Sequence, residues 1–372
     1  MSKKLNVLIV DDSLAVRALL RKSLENESQI ESLSTASNGR TAIEYFNEKK
    51  PDIVVLDMNM PEKNGLQVIE EIRARNYQTP VVLFSTAGEA PDTLKALQYS
   101  QVDFLAKDEQ TDTAHSGALE DNVKRLKARL LPKILQFFHF QKETETPKPV
   151  APVAPAKPAD LPKKHFSAIA TFKPDAVTIA SSTGGPRALE TLFDGLGKYI
   201  EKQFGPMFIV QHMPAGFTLQ LAERLSKISG LHFKEAKHEE VVRPSTIYIA
   251  PGNYHMELRA DPDKTVKIIL NQKEQRHSVR PSADFMFETA APIYRARMLS
   301  IVLTGMGEDG IQGIPHIKKY MGKVVTQSEA TCAVYGMPKA IDDAGLSDGS
   351  EDLQTIRQIL MNHFFFKVKD AA

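Results

Sequence analysis

Between Thr144 and Lys164 the chain reads TETPKPVAPVAPAKPADLPKK, and this run limits everything else the sequence can build. Pro147, Pro149, Pro152, Pro155, Pro158 and Pro162 recur among Ala, Val and Lys with no period that buries a face. Proline fixes φ and lacks an amide hydrogen, so such a run favours extended polyproline conformations and acts as a semi-rigid spacer. It cuts the 372 residues into two stretches, each long enough for one ordinary core. The division expected is 1–140, a linker over 141–168, and 169–372.

Both stretches alternate short apolar runs with helical patterns. In the first, Leu5–Val10 reads as a strand and Leu14–Leu24 has apolar positions three and four apart. Asp52–Leu56 and Pro80–Phe84 are further strand-like runs, each followed by a helical pattern. In the second, Val177–Ala180, Met207–Val210, Thr246–Ala250, Val266–Leu270, Leu299–Leu303 and Val324–Thr326 read as strands. Continuous apolar runs separated by helices are the rhythm of buried parallel sheets. The fold class expected is therefore α/β in both halves, with sites at the carboxyl ends of strands.

Composition excludes several classes. A formal net charge of +1 gives no global field for nucleic acid or anionic membrane. The N-terminal apolar run stops at Asp11 and Asp12, too short for a secretory signal, and no apolar stretch approaches a membrane span. Cys332 is the single cysteine, so neither an intramolecular disulfide nor a thiolate zinc site is expected. These features predict a cytoplasmic protein that neither binds nucleic acid nor inserts in a membrane.

In the first half, VLIVDDS ends a strand in Asp11 and Asp12, IVVLDMNMPEKNG ends one in Asp57, and VDFLAKD ends one in Lys107. A parallel sheet brings these ends to one edge, where clustered carboxylates need a cation or a shared proton. Oxygen ligands of this kind suit Mg²⁺, and a nearby Lys would neutralise an added phosphate. The order VDDS, DxxMPxxxGL at Asp57–Leu66, VVLFS at Val81–Ser85 and DFLAK at Asp103–Lys107 resembles the receiver domain of response regulators. The resemblance implies a (βα)₅ fold with Asp57 as phosphoacceptor. It also implies Mg²⁺ held by Asp11, Asp12, Asp57 and the Asn59 carbonyl, with Ser85 and Lys107 on the phosphoryl group and Phe104 at the rotating aromatic position. One departure is Asp108, where the family has Pro; an extra carboxylate there bears on the lifetime of the phosphoryl group.

The second half carries three strand–turn–helix junctions: VTIASSTGGPRAL, IVQHMPAGF and SIVLTGMGEDGIQG. They contribute Ser181 and Ser182, His212, and Asp309. A serine hydroxyl needs a base to remove its proton, a neutral His is the usual base, and a carboxylate fixes its tautomer. The chemistry leaves Ser181 and Ser182 nearly equivalent, and His255 and His277 compete with His212. Gly305, Gly307 and Gly310, with Glu329 further on, also match a dinucleotide fingerprint. Glu308 and Asp309 would then face the pyrophosphate with like charge, which counts against that reading. No G-x-S-x-G surrounds either serine, and the order Ser…His…Asp differs from that of lipase-like hydrolases.

SSTGGP, IVQHMP, IYIAPGNYHMEL, RPSADFMF, VLTGMGEDG and YGMPKAI together resemble the catalytic domain of the chemotaxis protein-glutamate methylesterase/glutaminase family. Members join that domain to a receiver, so the likeness covers both halves and implies a Rossmann-like, doubly wound second domain. It implies Ser182 as nucleophile, His212 as general base and acid, Asp309 as orienting carboxylate, and Thr183 and Met306 as sources of oxyanion donors. No cofactor is implied for the triad. Two departures stand at Ser328, often Asp in the family, and at Ser278-Val279, where the family has Gly-His before RPS. The implied activity is hydrolysis of glutamate γ-methyl esters, and deamidation of selected glutamines, on the cytoplasmic part of chemoreceptors. The implied phosphodonor is the chemotaxis histidine kinase. A response regulator whose second half only binds a protein or nucleic acid is one rival reading, and dinucleotide binding by the third loop is the other.

Overall fold

The computed structural model describes residues 4–107, 116–143, 169, 172–200 and 203–361. The spacer and Asp108 lie outside the described residues. The chain divides into two compact units, Met1–Glu145 and Thr146–Ala372.

The first unit alternates β1 (Leu5–Val10), α1 (Leu14–Leu24), β2 (Ile30–Ala36), α2 (Gly39–Lys49), β3 (Ile53–Asp57), α3 (Gly65–Ala74), β4 (Val81–Ser85), α4 (Ala90–Ala96), β5 (Val102–Ala106) and α5 (Ser116–Glu143). The sheet order is β2-β1-β3-β4-β5, every pair parallel. All residues of β3 and β4 are buried, as an inner strand covered on both faces requires. Ser13 caps α1 by accepting from Val16 N–H, and Asn38 caps α2 by accepting from Thr41 N–H. Each cap starts its helix just past a strand's carboxyl end. The outer strand β2 (IESLSTA) is half-exposed, with too little apolar alternation to show in the sequence.

The second unit runs β6 (Ala176–Ser181), α6 (Gly185–Phe193), β7 (Met207–Gln211), α7 (Phe217–Ser229), β8 (Phe233–Glu235), β9 (Ile247–Ile249), β10 (His255–Ala260) and β11 (Val266–Asn271). It continues with α8 (Ala283–Tyr294), β12 (Met298–Val302), α9 (Ile314–Lys319), β13 (Lys323–Gln327), α10 (Met337–Asp343), β14 (Gly349–Glu351) and α11 (Leu353–Leu360). Seven strands form one parallel sheet in the order β14-β13-β12-β6-β7-β9-β8. β6 is buried at every position. One core joins Ala176, Ala180, Phe208 and Tyr248 of the sheet to Met286 and Phe287 of α8. The strand read at Val266–Leu270 is not part of that sheet. It pairs antiparallel with β10 as a separate two-stranded hairpin. Its residues are mostly half-exposed, which suits a hairpin with one solvated face.

The chain reverses its direction of travel across the sheet between β6 and its neighbour β12. In open α/β sheets the crevice outside the carboxyl ends at such a switch point is where ligands bind.

Candidate functional site

In the second unit the switch point gathers the three junctions. Ser182 follows β6, His212 follows β7, and the turn holding Asp309 follows β12; these strands are adjacent in the order β12-β6-β7. Ser181 pairs with Gln211 in the ladder, so Ser182 and His212 are each the first residue past neighbouring strands. His212 N–H donates to Ser181 O at 3.0 Å and Ser182 N–H to Thr304 O at 3.0 Å. Gly184, at φ +79°, turns the chain into α6 through a left-handed conformation that costs glycine little.

The two serines differ in what they touch. Ser181 Oγ is buried and donates to Gln211 Oε1 at 2.7 Å, while Gln211 Nε2 donates to Ser182 O at 2.9 Å. Ser181 therefore ties β6 to β7. Ser182 is 8% exposed, and among the described residues its Oγ has no hydrogen-bond partner. The close approach of the third loop depends on Gly305. A Cβ there would lie 2.7 Å from Ser182 Cβ and 2.5 Å from Met337 Sδ. Thr183 is buried beside Ser182, its carbonyl accepting from Thr304 Oγ1 at 2.9 Å, and Met306 is 36% exposed.

His212 Nε2–H donates to Asp309 Oδ2 at 2.7 Å. A carboxylate only accepts, so the proton sits on Nε2 and the neutral ring presents a bare Nδ1 as its basic nitrogen. Asp309 is 1% exposed and held by more than the histidine. Ser282 Oγ–H donates to Oδ1 at 2.6 Å and Ala283 N–H to Oδ2 at 2.6 Å, at the first turn of α8. Burial alone would push this carboxyl up; the donors from His212, Ser282 and Ala283 outweigh it and hold Asp309 below the ordinary range. The helix N-terminus adds its positive end. Neither Ser282 nor the α8 cap is legible as a site residue from residue chemistry alone; the signal is the RPS segment before an apolar helical run.

His255 is buried, accepts Ser282 N–H on Nδ1 at 3.1 Å and donates to Glu274 O at 3.2 Å, so it is scaffolding. Burial drives its proton affinity down and keeps it neutral. His277 bonds Asp284 instead. The dinucleotide reading fails on the same geometry. Asp309 is turned inward to His212, and α9 begins only at Ile314, beyond the turn.

In the first unit the strand ends carry Asp11, Asp57, Ser85 and Lys107 to one edge. Lys107 Nζ donates to Asp57 Oδ1 at 2.7 Å and to Asp11 Oδ2 at 3.4 Å. Oxygens of Asp11, Asp12 and Asp57 lie within 4.8 Å of one another. Burial, only partly opposed by Lys107, raises Asp57 to about 6, and burial also raises Asp11. One ammonium is thus too little positive charge for this cluster, and the donor set fits a hard divalent cation. Asn59 N–H donates to Asp57 Oδ1 at 3.4 Å. Ser85 Oγ is buried, 2.7 Å from Thr93 Oγ1, and Phe104 is buried on β5.

Comparison with known proteins matches residues 177–360 to the CheB methylesterase family and residues 7–117 to the response regulator receiver domain. The protein-glutamate methylesterase/protein-glutamine glutaminase of Pyrococcus horikoshii is 36% identical over 97% of this chain and 94% of its own length. The protein of the same name from Trichodesmium erythraeum is 37% identical over 93% and 95%. Among solved structures, the Thermotoga maritima CheB methylesterase catalytic domain is 39% identical, covering 51% of this chain and 98% of its own, with a TM-score of 0.47.

Proposed function

The chain belongs to the protein-glutamate methylesterase/protein-glutamine glutaminase family with a receiver domain, and from that premise we propose that Ser182, His212 and Asp309 hydrolyse glutamate γ-methyl esters on chemoreceptors. The observation that carries this reading is the Asp309–His212 bond on one side of His212 and the unengaged Ser182 hydroxyl at the neighbouring strand end. Ser182 Oγ attacks the ester carbonyl as His212 Nδ1 takes its proton. Asp309, already ionised, stabilises the imidazolium. The Thr183 and Met306 N–H groups meet the oxyanion, each such donor typically contributing about 10²–10³ in turnover. His212 then protonates the departing methanol, and water, deprotonated by the same nitrogen, releases the glutamate. With a glutamine substrate, ammonia leaves in place of methanol.

The receiver supplies control, with Asp57 as phosphoacceptor and the chemotaxis histidine kinase as donor. Asp11, Asp12, Asp57 and the Asn59 carbonyl would hold Mg²⁺, which when bound offsets the charge of carboxylates and phosphate together. Lys107 and the Ser85 hydroxyl receive the phosphoryl oxygens. Phosphorylation raises esterase activity, which gives the pathway adaptation at the cytoplasmic face of the membrane. Among the described residues no helix is long and apolar enough to cross a membrane. The experiment is methanol release from methylated receptor membranes, with and without a small phosphodonor. Release that is abolished in Ser182→Ala and stimulated by phosphodonor supports the proposal; release unaffected by either refutes it.

A further inference from the structure

A second buried carboxylate stands beside Asp309. Asp284, in the first turn of α8, is fully buried, and its oxygen, one from Asp309 and a ring nitrogen of His277 all lie within 4.8 Å of one another. Asp284 Oδ1 accepts the N–H groups of Gln312 at 3.0 Å and Gly313 at 2.6 Å. Its Oδ2 accepts His277 Nε2–H at 2.9 Å. Two carboxylates therefore share one buried place, each with its own histidine: His212 on Asp309, His277 on Asp284. Like charges so close in low dielectric each favour protonation of the other. In accord with this, burial and then the charge of Asp309 push Asp284 up, while Asp309 is held down.

His277 reaches Asp284 through a conformation that L-residues rarely adopt. Val279 N–H donates to Arg276 O at 3.0 Å, closing a tight turn in which His277 has φ +51° and Ser278 φ +60°. Turns of this kind normally recruit Gly or Asn at both central positions, and neither is present. Such strain persists where the surroundings over-determine it, and it clusters at functional sites. The other ring nitrogen, Nδ1, lies 3.4 Å from the exposed carboxylate of Glu308. The ring also lines a cavity of about 640 Å³ with Gly307, Glu308, Gly336 and Lys339, next to the turn that carries Met306.

We propose that His277 is a positioning residue: its Nε2–H, donated to Asp284 Oδ2, offsets the second carboxylate beside Asp309. His212 then feels less of that second carboxylate's field. This rests on the triad reading above. The groups facing His277 are Asp284 from α8, Glu308 from the loop after β12, and Lys339 and Asp343 from α10 across the cavity. Arg276 in its own turn is paired with Glu288. Behind Ser282 the neighbour is the neutral His255.

The test is the pH dependence of kcat/KM for methyl-ester hydrolysis in four full-length proteins: parent, His277→Ala, Asp284→Asn and the double variant. Without His277, an uncompensated Asp284 charge favours the protonated form of the base. The acid limb should then move to higher pH, leaving His277→Ala about tenfold below its parent at neutral pH, with KM unchanged and activity recovered at alkaline pH. In the Asp284→Asn background, which keeps the shape and removes the charge, the same substitution should shift nothing. A loss uniform across pH means a structural role and overturns the proposal, as does a shift that persists in the Asp284→Asn background. Failure of the triad reading is separate: it would show as hydrolysis surviving in Ser182→Ala.

Discussion

Replacing each of the two adjacent serines by alanine should have crossed consequences, one on stability and one on rate. Ser181→Ala removes a buried donor and leaves Gln211 Oε1, on a side chain 1% exposed, without its 2.7 Å partner. An unsatisfied buried acceptor of this kind costs about 1–3 kcal/mol. Only one oxygen is lost, so the cavity contribution is small beside it. For a unit of this size the cost corresponds to a fall in Tm of roughly 2–12 °C. Gly185 reports on the same contact, because a Cβ there would collide with Gln211 Oε1. Ser182→Ala breaks no side-chain hydrogen bond, so its Tm should stay within about 1 °C of the parent, inside the range of neutral substitutions. Its methyl-ester hydrolysis should drop by about 10⁴–10⁶, the cost of removing a triad nucleophile. The assay is thermal unfolding followed by circular dichroism, paired with methanol release measured well below both midpoints. If Ser181→Ala abolished turnover at unchanged Tm while Ser182→Ala stayed active, the assignment of the two hydroxyls would be reversed and the argument wrong.

Gly305→Ala should cost about 10²-fold or more in turnover, since its Cβ would press on Ser182 and Met337 and displace the turn that carries Met306; wild-type kcat in that variant would contradict the packing argument. Asp309 is held below its ordinary value of 3.8 in the fold, so it stabilises the native state above that pH and the contribution is lost as pH falls through the lower folded value. Asp309→Asn should accordingly be less stable than the parent at neutral pH, with the gap in urea midpoint narrowing below about pH 4. Burial pushes the Cys332 thiol up to about 12, so a disulfide reagent at neutral pH should leave the native protein unlabelled and label it fully in denaturant. Asp57→Asn should keep basal hydrolysis and lose all stimulation by phosphodonor; retained stimulation would place the phosphoacceptor elsewhere.

Much of this protein was legible in one dimension because its chemistry stands at the ends of short apolar runs. Asp11 and Lys107, like Ser182 and His212, follow strands of mostly apolar residues and Asp57 ends one, and that contrast survives in the bare sequence. The proline-rich run stands out in the sequence for a related reason, since it has no period that buries a face. What the sequence could not supply was adjacency. β12 and β6 are neighbours although their paired residues are more than a hundred positions apart, and only that pairing brings the turn of Asp309 to Ser182. The run at Val266–Leu270 shows that a strand forms but not where it pairs, because a half-exposed strand has the same local pattern in a sheet and in the hairpin with β10. The support of Asp309 was invisible for a related reason. Its partners are a hydroxyl and a backbone N–H at the start of α8, and a backbone donor has no side-chain identity to read. Side-chain type and periodicity determined which groups the protein carries to its strand ends. The order of strands, fixed by long-range burial, decided which of those groups meet.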